Sequence, residues 1–312
     1  MTIRVRVPAT SANLGAGFDS FGLALSLYNE IEIGSGEPGV TIHSDDARQI
    51  SSGTDNIAWR AADRLLRKLG CAADFRLQMW NAIPLSRGLG SSAAARVGAL
   101  VAANQWARQR GEKTATREEL LDLATELEGH PDNAAAAFLG GLTVAVVANA
   151  DPKSTPENRR TFAVQMPVKR FPRFVVFSPD SHLETKTARA ALPESVSHAD
   201  AVFNLSRAGL LLAALSSGDF EILPEALKDR LHQNQRAALL PGWSEISRAA
   251  TESGALGVTL SGAGSSILIW LPPEDEIFSA ATNSVRTAAA NSGVAGTVRE
   301  LEVDTQGAMI IA

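Results

Sequence analysis

The chain has 312 residues and a formal net charge of −5, from 29 Lys and Arg against 34 Asp and Glu. At roughly 150 residues per domain, this length predicts about two domains with a sizeable core. A single cysteine, Cys71, excludes an intramolecular disulfide framework and a multi-cysteine metal cluster. The slight acidic excess and the 5% aromatic content argue against nucleic acid as a partner, because they supply neither a basic surface nor stacking side chains.

The N-terminal segment argues against export and membrane insertion. Residues 1–8 alternate apolar and charged side chains and lack the apolar core of a signal peptide. The longest strongly apolar run, 208–215, is far shorter than the roughly 20 residues that a membrane span needs. We therefore expect a cytoplasmic protein that has no membrane partner.

The first half of the chain predicts alternating strands and helices. Period-two alternation and β-branched runs predict strands over 3–7, 27–33, 40–43, 75–83 and 140–147. Apolar residues at helical spacing predict helices over 54–69, 92–110 and 117–128. The first of these helices has Thr54 or Asp55 as its expected N-cap and Gly70 as its expected stop.

A polar, proline-containing segment without periodicity, 149–160, predicts a linker between two domains, 1–160 and 161–312. Beyond it, strands are predicted over 173–178, 258–260, 265–271 and 297–303. Helices are predicted near 186–191, 200–216, 219–229, 243–253 and 276–291. Interleaved strands and helices in both halves predict two layered α/β or α+β domains.

The most informative stretch is a glycine- and serine-rich loop before a predicted helix, Pro84-Leu85-Ser86-Arg87-Gly88-Leu89-Gly90-Ser91-Ser92-Ala93-Ala94. Its glycines allow close backbone approach, and the helix directs free N–H groups and the positive end of its dipole at the loop. This combination favours an anion, above all phosphate. The hydroxyls of Ser91 and Ser92 can bond phosphate oxygens or a magnesium ion.

Generic motifs leave the ligand of this loop open. A Walker A loop needs a lysine, which is absent here, so a P-loop fold is disfavoured. The spacing of Gly88, Gly90 and Ala93 fits the loose dinucleotide pattern. However, no strand directly precedes it, and the region near 108–111 lacks the acidic residue that contacts ribose. A helix-capping loop without a ligand also fits this segment.

Three segments, in order, resemble the three motifs of the GHMP small-molecule kinases. They are Pro8-Ala9-Thr10-Ser11-Ala12-Asn13-Leu14-Gly15-Ala16-Gly17-Phe18-Asp19, the loop 84–94, and Val258-Thr259-Leu260-Ser261-Gly262-Ala263-Gly264-Ser265-Ser266. The first motif, with Glu128-Gly129-His130-Pro131-Asp132-Asn133 downstream, is most similar to the homoserine kinases. The resemblance covers essentially the whole chain. It implies an α+β two-domain GHMP kinase fold, with an N-terminal α/β domain containing a left-handed βαβ unit and a ferredoxin-like C-terminal domain.

The resemblance also implies a reaction. ATP and L-homoserine would bind between the domains with Mg²⁺ and give ADP and O-phosphohomoserine, a step toward threonine, in an enzyme that is commonly a homodimer. Asn56 would lie on the adenine side. The remaining nucleotide-binding residues would be Pro84, Ser86, Arg87, Gly88, Leu89, Gly90, Ser91, Ser92, Ala93 and Ala94, closed by Gly262 and Gly264.

In the same resemblance, Ser92 and a helix carboxylate would hold magnesium. Glu126 is the favoured carboxylate because it resembles the metal ligand of the family, and Glu128 is the alternative. The two glutamates are two residues apart on a predicted helix and therefore point in different directions. Only one of them should face the loop.

The resemblance assigns the ammonium of homoserine to Asp132, with Asn13 and His130 nearby. Its carboxylate would go to Arg189 and Arg236, and Thr185 belongs to the matching segment that ends at Arg189. Asp19 and Asn133 would lie nearest the reacting hydroxyl. Two mechanisms stay open: Asp19 acts as a general base, or Asn133 orients the hydroxyl while the γ-phosphate takes its proton.

The chain departs from the family at His232-Gln233-Asn234-Gln235, where homoserine kinases more often carry Glu-Pro-Tyr before the arginine. His43, His182, His198 and His232 lack metal-ligand spacing, which predicts surface histidines. The alternatives are a GHMP kinase for another small alcohol (mevalonate-type, sugar or shikimate), a non-catalytic ATP- or metabolite-binding regulator, and a nicotinamide dehydrogenase. The missing ribose acid disfavours the dehydrogenase, and Ser92, a helix carboxylate and Asp132 together argue against an inactive site.

Overall fold

A computed structural model of the protein describes residues 2–44, 47–72, 74–148 and 159–312 and places their strands in two sheets. The strands are β1 (Thr2–Ala12), β2 (Phe21–Ser35), β3 (Gly39–His43), β4 (Phe75–Asn81), β5 (Leu142–Ala148), β6 (Arg160–Gln165), β7 (Arg173–Pro179), β8 (Gly257–Leu260), β9 (Ile267–Leu271), β10 (Gly296–Leu301) and β11 (Met309–Ile310). The α-helices are α1 (Ile57–Leu69), α2 (Ser91–Gln109), α3 (Arg117–Glu128), α4 (Pro131–Leu139), α5 (Thr185–Ala190), α6 (His198–Ser217), α7 (Leu223–Ala226), α8 (Gln233–Ala237), α9 (Trp243–Glu252) and α10 (Asp275–Asn291).

The first sheet has the order β11-β1-β2-β4-β3, and β5 pairs with both β2 and β6. Its β3 and β4 are parallel and are connected through α1, which makes a βαβ unit. Buried alanines of α2, with Val97, Leu100 and Trp106, pack this helix against β1, β2, α1 and α3. The α2 N-terminus is therefore anchored by a dry core, so the loop before it is held in place.

The second sheet is antiparallel, in the order β10-β7-β9-β8, and α9 and α10 cover it. The chain passes from β7 through helices to β8 and β9, then through α10 to β10. This is the βαββαβ arrangement of a ferredoxin-like unit. Val175, Ile269, Phe278 and Val285 form part of its separate apolar core.

Most predicted elements are confirmed, with ends shifted by a few residues. The N-cap of α1 is Asn56, whose side chain accepts from Ala58 N at 2.8 Å, rather than Thr54 or Asp55. The predicted helix 219–229 is reduced to the four residues of α7. Pro224 lacks an N–H and fits only the first turn of a helix, which explains why the helix does not extend back to residue 219.

The periodicity did not predict two strands, β6 and β11, which both join the first sheet. β6 pairs with the preceding strand β5, and β11 pairs with β1 from the other end of the chain. The predicted linker lies outside the described residues from 149 to 158, and its last residue begins β6. The domain boundary at residue 160 stays a prediction. Across the described ranges, every helix is too short or too polar to cross a membrane.

Candidate active site

A cleft of about 390 Å³ lies where the two sheets meet and brings most of the predicted site residues together. The first half of the chain contributes the loop after β1, the loop before α2 and the start of α4, and the second half contributes α5, α8 and the β8–β9 turn. Among the predicted residues the lining includes Asn13, Asp19, Asn56, Pro84, Ser86, Arg87, Gly88, Leu89, Gly90, Ser91, Ser92, Glu128, His130, Asp132, Asn133, Thr185, Arg189, Arg236, Gly262 and Gly264.

One end of the cleft is formed by the glycine-rich loop and the N-terminus of α2. Gly90 is the N-cap, with φ +67°, and no side chain caps the helix. The first N–H groups of α2 are therefore available to an anion in the cleft. Ala93 and Ala94, predicted to bind nucleotide, are buried in the core and their side chains do not line the cleft. The helix turns both methyl groups inward, so only backbone groups could contact a ligand there.

The third motif holds this loop closely. Ser261 Oγ donates to Gly88 O at 2.6 Å, and Ser266 N donates to Arg87 O at 3.0 Å. Gly88 has φ +74°, and a Cβ there would lie 2.1 Å from Ser261 O. Glycine is thus required at 88 for both its conformation and its packing.

The structure places Glu128, and not Glu126, beside Ser92 and the loop. Glu128 Oε1 accepts from Ser92 Oγ at 2.6 Å, and its other oxygen pairs with Arg96. Glu126, the favoured ligand in the sequence, points to another face of the helix, pairs with Arg64 and does not line the cleft. Two residues correspond to a rotation of about 200° around a helix axis, so when Glu128 faces the loop Glu126 points away from it.

At the other end of the cleft, Asp19 and Arg189 form a two-pronged ion pair. Arg189 donates from Nη1 to Asp19 Oδ2 at 2.9 Å and from Nη2 to Oδ1 at 2.7 Å. Asn13 fixes the loop that carries Asp19: its Oδ1 accepts from Asp19 N at 2.9 Å and its Nδ2 donates to Gly262 O at 2.7 Å. Asn13 and Asp19 have φ of 72° and 53°, a left-handed backbone conformation that Asn and Asp adopt more readily than other non-glycine residues.

Asp132 is a buried carboxylate at the start of α4. Its Oδ1 lies 2.5 Å from His130 Nδ1 and accepts from Asn133 N at 2.7 Å. Burial alone would lower the pKa of His130, but the hydrogen bond and the charge of Asp132 outweigh it and raise the pKa above its ordinary value. The imidazolium and Asp132 therefore stabilise each other.

Thr10 is a site residue that the sequence reasoning missed. Its buried Oγ1 donates to Asn133 Oδ1 at 2.7 Å and so orients the amide of Asn133. A Cβ on Gly90 would lie 1.9 Å from this hydroxyl, so the glycine of the loop makes room for Thr10. Its position within the first motif could have identified Thr10 as a site residue from the sequence.

Arg236 is almost completely buried, at 2% exposure, yet within the described residues it makes no ion pair. Its three hydrogen bonds, each 3.4 Å long, go to neutral acceptors: Ala188 O, Gly262 O and His232 Nδ1. Burial lowers the pKa of Arg236, and the nearby charge of Arg189 adds to this. A guanidinium stays protonated nevertheless, so Arg236 is a buried cation that lacks a counter-ion.

His232 was predicted to lie on the surface and this is wrong, because its side chain is fully buried. Its Nε2 lies 2.8 Å from Gly15 O, and its ring stacks on Phe18 with centroids 4.9 Å apart. Both partners belong to the first motif, more than two hundred positions away in the sequence. No local pattern could have indicated this burial.

Comparison with known proteins is consistent across sequence and structure. The family model "GHMP kinases N terminal domain" matches residues 56–141, and "GHMP kinases C terminal" matches residues 211–285. A homoserine kinase of Desulfitobacterium hafniense is 40% identical over 315 residues, covering 99% of this chain and 100% of that protein. A homoserine kinase of Gloeobacter violaceus is 46% identical over 270 residues, covering 85% and 86%.

The crystal structure of homoserine kinase from Cytophaga hutchinsonii is similar at a TM-score of 0.86 and 29% identity, covering 99% of this chain and 97% of that one. Sequence identity, domain matches and fold therefore agree with the cleft geometry. The chain belongs to the GHMP kinases and, within them, to the homoserine kinase family.

Proposed function

We propose that this chain transfers the γ-phosphoryl group of ATP to the side-chain hydroxyl of L-homoserine, giving ADP and O-phospho-L-homoserine, a step toward threonine. The hydroxyl oxygen forms a bond to the γ-phosphorus, the bond from that phosphorus to the bridging oxygen breaks, and the hydroxyl proton leaves. Membership of the homoserine kinase family supports both the reaction and the acceptor.

One observation of the cleft carries the choice of an amino acid: a buried carboxylate, Asp132, and a buried unpaired guanidinium, Arg236, line the same space. A buried charge without a partner is costly, and a ligand of opposite charge relieves that cost. L-Homoserine has an ammonium for Asp132 and a carboxylate for Arg236. Mevalonate and shikimate have a carboxylate for Arg236 but no ammonium for Asp132, and a neutral sugar would leave the charge of Arg236 unmatched.

ATP would place its phosphates at the other end. The glycine-rich loop and the uncapped N-terminus of α2 supply backbone N–H donors, and a helix N-terminus favours negative charge. Phosphoryl transfer asks mainly for such positioning and charge stabilisation. Asn56, which caps α1 and lines the cleft, is proposed to lie on the adenine side.

The residues present fit a magnesium ion. Ser92 Oγ and Glu128 Oε1, 2.6 Å apart, are oxygen donors of the kind that Mg²⁺ prefers. In the described part of the chain no group of three His, Cys, Asp or Glu side chains is placed to hold a metal alone. Magnesium would therefore take its other ligands from ATP and water, and it would neutralise charge on the phosphates.

The geometry favours the mechanism that needs no protein base. Arg189 donates to both carboxylate oxygens of Asp19, so this ion pair would have to break before Asp19 could take the hydroxyl proton. Thr10 holds Asn133 Oδ1, and one N–H of Asn133 Nδ2 donates to Asp132 Oδ1 at 3.2 Å, which leaves the second N–H to orient the acceptor hydroxyl. The γ-phosphate would then take the hydroxyl proton, and Asp19 would act by holding Arg189.

A coupled ADP-release assay tests the proposed function. Purified protein with ATP and Mg²⁺ is given L-homoserine, mevalonate, shikimate or galactose in separate reactions. We expect stimulation by L-homoserine well above that by the other alcohols. Stimulation by another alcohol and none by L-homoserine would overturn the proposal. We also propose a homodimer in the cytoplasm, on the family resemblance, with sedimentation as the check on the dimer.

A further inference from the structure

We propose that His232 is a positioning residue that holds Arg236 as an unpaired cation, ready for the carboxylate of the substrate. This role rests on the proposed function, in which Arg236 receives that carboxylate. His232 is the N-cap of α8, and Arg236 follows one turn later on the same short helix. Both side chains are buried, and Arg236 lines the cleft.

The hydrogen bonds of the imidazole define its tautomer. Gly15 O can only accept, so the ring nitrogen 2.8 Å away, Nε2, carries the hydrogen. In the neutral ring Nδ1 is then an acceptor, and it faces Nη1 of Arg236 at 3.4 Å. Burial lowers the pKa of His232, in agreement with a neutral ring.

The carboxylate nearest to His232 is already engaged. Asp229 Oδ2 lies 3.8 Å from His232 Nε2, but it accepts from the backbone N–H groups of His232 and Gln233 at 2.9 and 2.6 Å. Its Oδ1 accepts from Asn204 Nδ2 at 2.6 Å. Asp229 therefore satisfies backbone N–H groups at the start of α8 and does not pair with Arg236. Of the other charges that face the imidazole, Arg236 lowers its pKa and Asp19 raises it.

A neutral acceptor at position 232 can bond Arg236 without neutralising its charge, which a carboxylate or an apolar side chain cannot do. A carboxylate at 232 would pair with Arg236 and compete with the substrate carboxylate. An apolar side chain would leave a buried guanidinium N–H without an acceptor. The neutral imidazole satisfies that donor and leaves the charge of Arg236 for the substrate.

The ring also joins this arginine to the first motif. Phe18 stacks on the His232 ring and lies 5.0 Å, ring centroid to guanidinium carbon, from Arg236. His232 thus makes two separable contributions, one through Nδ1 to Arg236 and one through Nε2 to the loop that carries Asp19. Substitutions that keep one and lose the other can tell them apart.

The test measures the dissociation constants of L-homoserine and of ATP by calorimetry. His232→Leu should raise the dissociation constant of L-homoserine by about tenfold or more, the loss expected for one hydrogen bond to a charged group. The dissociation constant of ATP should change by less than about twofold. His232→Asn keeps an acceptor near the position of Nδ1, so its dissociation constant for L-homoserine should stay within about threefold of the wild-type value. His198→Leu, which removes an exposed histidine, is the matched control.

A double-mutant cycle distinguishes an effect of His232 that acts through Arg236 from a general effect on the structure. In an Arg236→Gln background the effect of His232→Leu on L-homoserine should disappear; an undiminished effect would overturn the role proposed for His232. If Arg236→Gln alone leaves L-homoserine binding unchanged, the assignment of the carboxylate to Arg236 fails instead. Should His232→Leu not fold, His232→Glu replaces it: we expect weaker L-homoserine binding because the introduced carboxylate pairs with Arg236, and unchanged binding would overturn the role.

Discussion

The two ends of the cleft use different parts of the chain. The phosphate end is built from backbone groups, with Gly88 and Gly90 admitting close neighbours and α2 supplying N–H donors. The amino-acid end is built from charged side chains, of which Asp132 and Arg236 are buried. Backbone geometry recognises a phosphate whatever it is attached to, whereas opposed charges recognise one class of acceptor. Substitutions at the first end should therefore affect folding and ATP binding together, and substitutions at the second end should affect L-homoserine binding with little effect on ATP binding.

The largest expected effect is at the phosphate end. Gly88→Ala should lower the free energy of unfolding by about 2–5 kcal/mol, because φ is +74° and the new Cβ would meet Ser261 O at 2.1 Å. The KM for ATP should rise in whatever fraction folds. Gly111→Ala is the control, with φ +72° and open space, and should lose only about 1–2 kcal/mol. Urea denaturation checks both, and equal losses would contradict the packing argument.

The two glutamates of α3 give a matched pair of variants. Glu128→Gln should lower kcat by about 100-fold and raise the half-saturating Mg²⁺ concentration, because it removes a charged oxygen beside Ser92. Glu126→Gln should stay within about twofold of the wild type, because its ion pair with Arg64 is exposed. Steady-state rates over a Mg²⁺ titration measure both, and the reverse ranking would restore Glu126 as the ligand.

Asp19→Asn tests the mechanism at the amino-acid end. It breaks the two-pronged pair with Arg189, so the KM for L-homoserine should rise by about tenfold while kcat falls by less than that. A positioned general base contributes about 10²- to 10⁴-fold to the rate. A loss of that size in kcat at unchanged KM for L-homoserine would show that Asp19 is the base after all.

The smallest expected effect concerns pH and His130. Its pKa is higher in the folded chain than in the unfolded chain, so the protonated ring contributes stability that is full below about pH 6.5 and is lost as the pH rises through the folded value. Protonated His130 also competes with the substrate ammonium for Asp132. The KM for L-homoserine should therefore fall a few-fold as the pH rises through that window.

His130→Gln provides the comparison for this pH effect. Its unfolding free energy should fall furthest below that of the wild type at low pH, and its KM for L-homoserine should depend less on pH. Denaturation and kinetics at matched pH values measure the two quantities. A variant that keeps the pH dependence of the wild type would assign it to another group.

Contiguous motifs account for the part of the site that could be predicted. The loop before α2 and the His130–Asn133 segment each bring several site residues in one short stretch, and both line the cleft. The choice between Glu126 and Glu128 could not be predicted, because it depends on the rotation of α3 relative to the loop. The sequence shows only that the two side chains point apart.

Long-range contacts account for what was missed in the fold and in the site. β11 exists because residues 309–310 return to pair with β1, and the burial of His232 depends on Gly15 and Phe18. Helix α4 was missed for a different reason, since Pro131 at its start is a recognisable local signal. Its residues were interpreted as a substrate motif, and that motif occupies the first turn of a helix.

The central claim is that opposed charges in the cleft recognise the acceptor. The most direct test compares L-homoserine with 3-amino-1-propanol, which is the same molecule without its carboxylate. The ratio of the two kcat/KM values is measured for the wild type and for Arg236→Gln. We expect the wild type to prefer L-homoserine by about 100-fold or more, and Arg236→Gln to reduce this preference to less than about tenfold with little change in the KM for ATP. An equal preference in both proteins would contradict the central claim that Arg236 awaits the carboxylate of an amino acid.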